Sequence, residues 1–134
     1  FDALLREGVD AADITTVDID PDAAVAVMSE DNHLTADFLN LDAIAYDVIV
    51  MNPPFTKGQA ITHVAHALTL VQRRLVAIMP NGFLDITRKA PTALLAQLEA
   101  GFVYTVVDLP AGSFKEAGTL VRTQLLIADK NEAV

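Results

Sequence analysis

The chain has 134 residues, 52% of them hydrophobic, with a formal charge of -9 and no cysteine. That apolar content suffices for the core of one compact domain, so a single domain over residues 1–134 is expected. No apolar run reaches the roughly 18 residues needed to span a bilayer, nothing at the start has the basic-then-apolar layout of a secretory signal, and the missing cysteines exclude a disulfide framework and thiolate zinc sites. A cytoplasmic location is the expectation. The charge is unevenly spread: through Asp47 there are 12 acidic residues against the single Arg6, whereas the remainder has 6 acidic and 8 basic residues. The second part is the one suited to face a polyanion.

In chain order, Asp2 to Arg6 reads as the end of a helix and Asp13 to Val17 as a β-branched strand that stops at Asp18-Ile19-Asp20-Pro21. Pro21 opens a helix through Met28, proline being favoured at a first helical position. A short stretch around Leu34 to Phe38 follows. Tyr46 to Met51 is apolar enough for a strand buried on both faces. Gln59 to Gln72 carries Ile61, Val64, Leu68 and Val71 at helical spacing. Leu75 to Met79 is the next buried strand, ended by Pro80-Asn81-Gly82. Ala93 to Leu98 is helical, with Gly101 as its stop. Phe102 to Val107 and Thr119 to Ile127 are two strands whose connection is too short for a crossover helix, so they should be antiparallel neighbours. The pattern predicts an α/β domain, mostly parallel with a final antiparallel strand. Ligands of such sheets bind beyond the carboxyl ends of the strands.

The chemistry concentrates in Asn52, Pro53, Pro54 and Phe55, which stand directly after a strand and before a glycine-containing loop. An aromatic amine has its lone pair delocalised into the ring and attacks a methyl sulfonium poorly until acceptors hold its hydrogens. The Asn52 amide oxygen and the Pro53 carbonyl are two such acceptors. Consecutive prolines fix φ and hold that carbonyl in place. Phe55 offers a flat face on which an extruded base can stack.

On these residues the chain resembles the class I S-adenosylmethionine-dependent amino-methyltransferases, especially bacterial and phage DNA adenine-N6 methyltransferases, whose signature is Asn/Asp-Pro-Pro-aromatic. The resemblance implies a Rossmann-like sheet, S-adenosylmethionine as cofactor, DNA as substrate and adenine N6 as the methylated atom. It assigns the cofactor ribose to Asp18, packing on the cofactor adenine to Ile19, the adenine amino group to Asp37 and a place near its ring to Phe38, with Asn52 shared between cofactor and catalysis. Arg74 to Leu84 and Leu109 to Lys130 also look like later family segments.

No Gly-x-Gly lies upstream of Asp18, where the family has a glycine-rich turn after its first strand. The expected sheet therefore lacks that strand, leaving the edges that end at Asp18 and Asn52 to be completed by a partner chain or by self-association. The alternatives are methylation of an amino group on an RNA base, methylation of a protein glutamine amide, which a Tyr in place of Phe55 would favour, and a non-catalytic interaction module that keeps the fold. Lys57, Arg88, Lys89 and Lys115 fall on loops after strand ends, where a nucleic-acid backbone would pass; each is also an ordinary solvated cation. His63 and His66 lack a third ligand at suitable spacing, so no metal is expected.

Overall fold

A computed structural model describes residues 6–18, 33–41, 45–85, 87–110 and 122–131. The chain forms two compact units, Phe1–Asp42 and Ala43–Val134.

In the first unit, strand β1 (Thr16–Asp18) pairs in parallel with β2 (His33–Thr35), Asp18 standing in register with Thr35. Short 3-10 turns at Ala11–Asp13 and Phe38–Asn40 flank the pair. Ile14 is buried between the first turn and β1. The expected strand from Asp13 starts three residues late, because Ala11–Asp13 closes a turn through the Asp13 N–H to the Asp10 carbonyl at 2.9 Å. The helix expected from Pro21 to Met28 lies outside the described residues, as does the helix end expected at Asp2 to Leu5.

The second unit is a four-stranded sheet in the order β3-β4-β6-β5, formed by Tyr46–Met51, Val71–Pro80, Thr123–Lys130 and Phe102–Asp108 respectively. β3 and β4 are parallel; β6 runs antiparallel to both β4 and β5. Three strands thus share one direction and the last in sequence opposes them, as the α/β pattern predicts. Helix α1 (Gln59–Leu70) links β3 to β4, and α2 (Lys89–Gly101) links β4 to β5. Val64, Ala67 and Leu68 of α1 and Leu94 and Leu98 of α2 are buried with Leu75, Ala77, Met79, Leu126 and Ala128 of the sheet. Gln97 of α2 reaches the Ala65 carbonyl of α1 at 3.0 Å, so the two helices lie side by side on one sheet face.

Four further expectations need correction. Helix α1 ends at Leu70 instead of Gln72, and Val71 begins β4: a buried β-branched residue serves strand pairing with Tyr46 as well as it would a helical stripe. Gly101 is the last helical residue and lacks a left-handed φ; extended Phe102 caps α2 by donating its N–H to the Leu98 carbonyl. β3 is not buried on both faces. Ile49 and Met51 pair beside Leu75 and Ala77 on the helix-covered face, whereas Val48 and Val50 on the other face are 44% and 64% exposed. Among the described residues no strand pairs with the outer edge of β3. Of the strand expected over Thr119 to Ile127, Thr119 to Val121 lie outside the described residues; Arg122 is not part of it, and β6 runs from Thr123 to Lys130 with the antiparallel pairing to β5 as expected.

Candidate functional site

Parallel strands place their carboxyl ends at the same edge. In the first unit that edge holds Asp18, the last residue of β1, and, two residues beyond its partner Thr35, Asp37. Asp37 caps the following turn: its Oδ1 accepts the Leu39 N–H at 3.0 Å and its carbonyl accepts the Asn40 N–H at 3.0 Å. One carboxylate oxygen is fixed by the cap, and the second remains for a donor. Phe38 starts the turn and is half-buried. Ile19 lies outside the described residues.

In the second unit, Asn52 to Phe55 follow β3 directly, at the carboxyl edge of the parallel β3-β4 pair. Pro53 is buried and anchors the segment, while Asn52 and Pro54 on either side are exposed and Phe55 is half-buried. Among the described residues neither the Asn52 side-chain amide nor the Pro53 carbonyl is engaged in a hydrogen bond. An exposed amide and a free carbonyl are held by a buried ring. The chain then turns through Thr56–Gly58, where Lys57 has φ 55° and Gly58 φ 71°. A lysine in left-handed backbone is uncommon, and these two positive angles carry the chain from the strand end into α1 within one short turn.

Lys57 follows β3, and Arg88 and Lys89 follow β4, so all three cations belong to connections at this same carboxyl edge. Arg88 immediately precedes α2, and neither it nor Lys89 caps the helix with its side chain. Cations at a helix N-terminus meet the positive end of the dipole, which speaks against a role in holding α2. Asp85 sits beside them with its carboxyl held below the ordinary range, chiefly by the Thr87 hydroxyl and then by the Thr87 N–H, with Arg88 nearby. Lys115 lies outside the described residues.

His63 contacts the Gln59 carbonyl through Nδ1 at 2.8 Å, an interaction within one helical turn. Among the described residues no three His, Cys, Asp or Glu side chains are grouped to hold a metal ion.

The same edge carries residues that sequence reasoning passed over. β4 outruns β3 and ends in a turn at Pro80-Asn81-Gly82-Phe83, closed by the Phe83 N–H to the Pro80 carbonyl at 3.2 Å, with Gly82 at φ 75° and Phe83 buried. Because β6 is antiparallel, its start lies beside this turn: the Asn81 N–H donates to the Arg122 carbonyl at 3.1 Å. Asp108, Leu109 and Pro110 at the end of β5 complete a cavity of about 360 Å³ with Asn81, Arg122 and Thr123. The Pro-Asn-Gly stop after a buried strand was the available signal, and it read only as a terminator.

No protein-family model matches the chain, and no curated protein matches it. Solved structures do. The chain is similar to a chain of the type I R-M system, with a TM-score of 0.63 and 21% identity, over 73% of this chain and 25% of that one. It is similar to a protein from Listeria monocytogenes assigned as a class I S-adenosylmethionine-dependent methyltransferase, with a TM-score of 0.54 and 13% identity, over 72% and 35%. It is also similar to magnesium protoporphyrin IX methyltransferase from Synechocystis PCC 6803, solved with SAH bound, with a TM-score of 0.50 and 16% identity, over 75% and 51%. The chain spans between a quarter and about half of the length of these three. It has the Rossmann-like fold of the methyltransferases.

Proposed function

We propose that the chain is part of an S-adenosylmethionine-dependent methyltransferase that acts on an exocyclic amino group, adenine N6 in DNA. The observation that carries this reading is the segment Asn52 to Phe55: an exposed amide and a carbonyl with no hydrogen bond among the described residues, fixed by a buried proline at a strand end, beside a half-buried aromatic ring. The Asn52 Oδ1 and the Pro53 carbonyl accept the two hydrogens of the amine and draw its lone pair out of the ring. Phe55 stacks on the base once it leaves the duplex. Lys57, Arg88 and Lys89, with Lys115, neutralise the backbone that delivers it.

Asp18 and Asp37 fit the cofactor in kind and in place: two acids at the carboxyl edge of a parallel pair, one with a carboxylate oxygen to spare after its cap. In this reading Asp18 holds the ribose, Asp37 the adenine amino group, and Ile19 and Phe38 its ring. When bound, S-adenosylmethionine supplies the methyl group as an electrophilic sulfonium. The likeness to a chain of the type I R-M system, described for complex assembly, supports both a nucleic-acid substrate and a partner chain that completes the sheet beside β3.

Incubation with labelled S-adenosylmethionine and unmethylated DNA or RNA, followed by nucleoside mass analysis, tests the reading. Label on adenine N6 of DNA that disappears in Asn52→Ala is the expected result. Label on protein overturns the nucleic-acid substrate; label on RNA alone overturns DNA; cofactor binding without any transfer overturns catalysis by this chain.

A further inference from the structure

The cavity between Asn81, Asp108, Leu109, Pro110, Arg122 and Thr123 is braced from one side chain. Gln124, half-buried on β6, accepts the Gly82 N–H at 3.1 Å through Oε1 and donates to Asp108 Oδ1 at 2.8 Å through Nε2. It thereby ties the turn after β4 to the end of β5 across the intervening strand. The backbone of the wall is satisfied too: the Asn81 N–H meets the Arg122 carbonyl, and the Leu109 N–H meets the Thr123 carbonyl at 3.0 Å. What remains open toward a ligand is the second oxygen of Asp108, the guanidinium of Arg122 and the side-chain amide of Asn81, none of which has a partner among the described residues.

A fixed acceptor, a planar cation and an amide beside the apolar surfaces of Leu109 and Pro110 ask for a ligand with N–H donors, an anionic group and a flat apolar body. A free amino acid meets the charges and lacks the flat body. A nucleotide has all three, and about 360 Å³ lies at the small end of the range for ligand cavities. A carboxylate accepts from the amino group of a base, whereas at the position of that amine uracil or thymine carries a carbonyl oxygen and leaves only the ring N3–H as a donor. Arg122 matches a phosphate.

The cavity is not a second description of the Asn52 site. Met51, at the end of β3, is level with Ala77, and β4 continues three residues to Pro80 before the turn. The cavity therefore starts roughly 10 Å further along the strand direction and lies one to three strand spacings across, too far for one base to fill both places. We propose that it is a subsite for a nucleotide whose base carries an exocyclic amine, adjoining the nucleotide presented to Asn52 and Phe55. Asp108 accepts from the amine, Arg122 pairs with the phosphate, and Gln124 is a positioning residue that holds Asp108.

This subsite rests on the nucleic-acid reading above, and its test is independent of methyl transfer. The full chain, labelled with nitrogen-15, is titrated with deoxycytidine monophosphate and with deoxyuridine monophosphate, which differ in the 4-substituent, amine against carbonyl, and in the proton on N3 that goes with it. The cytidine nucleotide should move the side-chain amide signals of Asn81 and Gln124 and bind roughly tenfold more tightly, the discrimination of one good base contact. Asp108→Asn should erase that preference, and Arg122→Gln should weaken both nucleotides alike and flatten their salt dependence. The amide spectrum itself reports whether each variant is folded. Equal affinity for the two nucleotides, or an absence of shifts at Asn81 and Gln124, overturns the subsite. A retained preference in a chain that transfers no methyl group overturns the catalytic reading alone.

Discussion

Gln124 stands 2.8 Å from Asp108, Nε2 to Oδ1, with its other end on the Gly82 N–H. The amide of Gln124 accepts from the turn with its oxygen and donates to the carboxylate with its nitrogen, two separate atoms that reach both partners at once. Gln124→Glu keeps the shape and the acceptor but sets a second carboxylate against Asp108. The variant should be less stable than the parent in urea at neutral pH. Acidification should narrow the gap, since the introduced glutamic acid, once protonated, donates where Nε2 did. A gap independent of pH would mean that the amide brace does not hold the end of β5.

Two glycines should respond in opposite directions to the same substitution. Gly82 has φ 75° with open space where a Cβ would stand, and Gly101 has the same open space without a positive φ. Gly82→Ala therefore meets no clash and costs only left-handed backbone, about 1–2 kcal/mol. Gly101→Ala, at the last residue of α2, should instead stabilise by about 0.5–1 kcal/mol through helix propensity and reduced freedom of the unfolded chain. Urea midpoints of the two variants check the pair of signs.

The elements that were legible in the sequence are those whose residues answer to one demand. Val64, Leu68 and Leu98 are buried because helical spacing directs them to one face, and Leu75, Ala77 and Met79 because alternation does the same in a strand. Val48 and Val50 misled for a physical reason: a β-branched apolar run reads as buried on both faces, but composition cannot report whether a second layer covers the sheet. The boundary at Leu70 and Val71 was hidden because Val71 is buried whether it continues a helix or starts a strand. Asn52 to Phe55 could be located from sequence because consecutive prolines after an apolar run can end a strand in few ways. The cavity could not. Asn81, Asp108 and Arg122 are far apart in the chain and meet only because β6 inserts between β4 and β5, a pairing that local pattern does not encode.

Arg74 and Asp129 face each other in register across β4 and β6, with Arg74 Nε at 2.6 Å from Asp129 Oδ1 and the second nitrogen Nη2 at 3.0 Å from Oδ2. Hydrogen bonding from Arg74, ahead of its charge, holds the Asp129 carboxyl below the ordinary aspartate value, and the same contact raises the already high value of Arg74. Because the folded-state value of Asp129 is depressed, the pair contributes its stability above the unfolded aspartate pKa and loses it as pH falls through the lower, folded value. Both side chains are about half exposed, so water and salt screen the attraction and the contribution belongs to the modest class of surface pairs. Arg74→Gln should lower the urea midpoint slightly at pH 7, with a difference that shrinks below about pH 4 and in 1 M salt, where the screening length is only about 3 Å. A difference that persists unchanged in acid would assign the effect to packing of the arginine stem against the sheet and not to the ion pair.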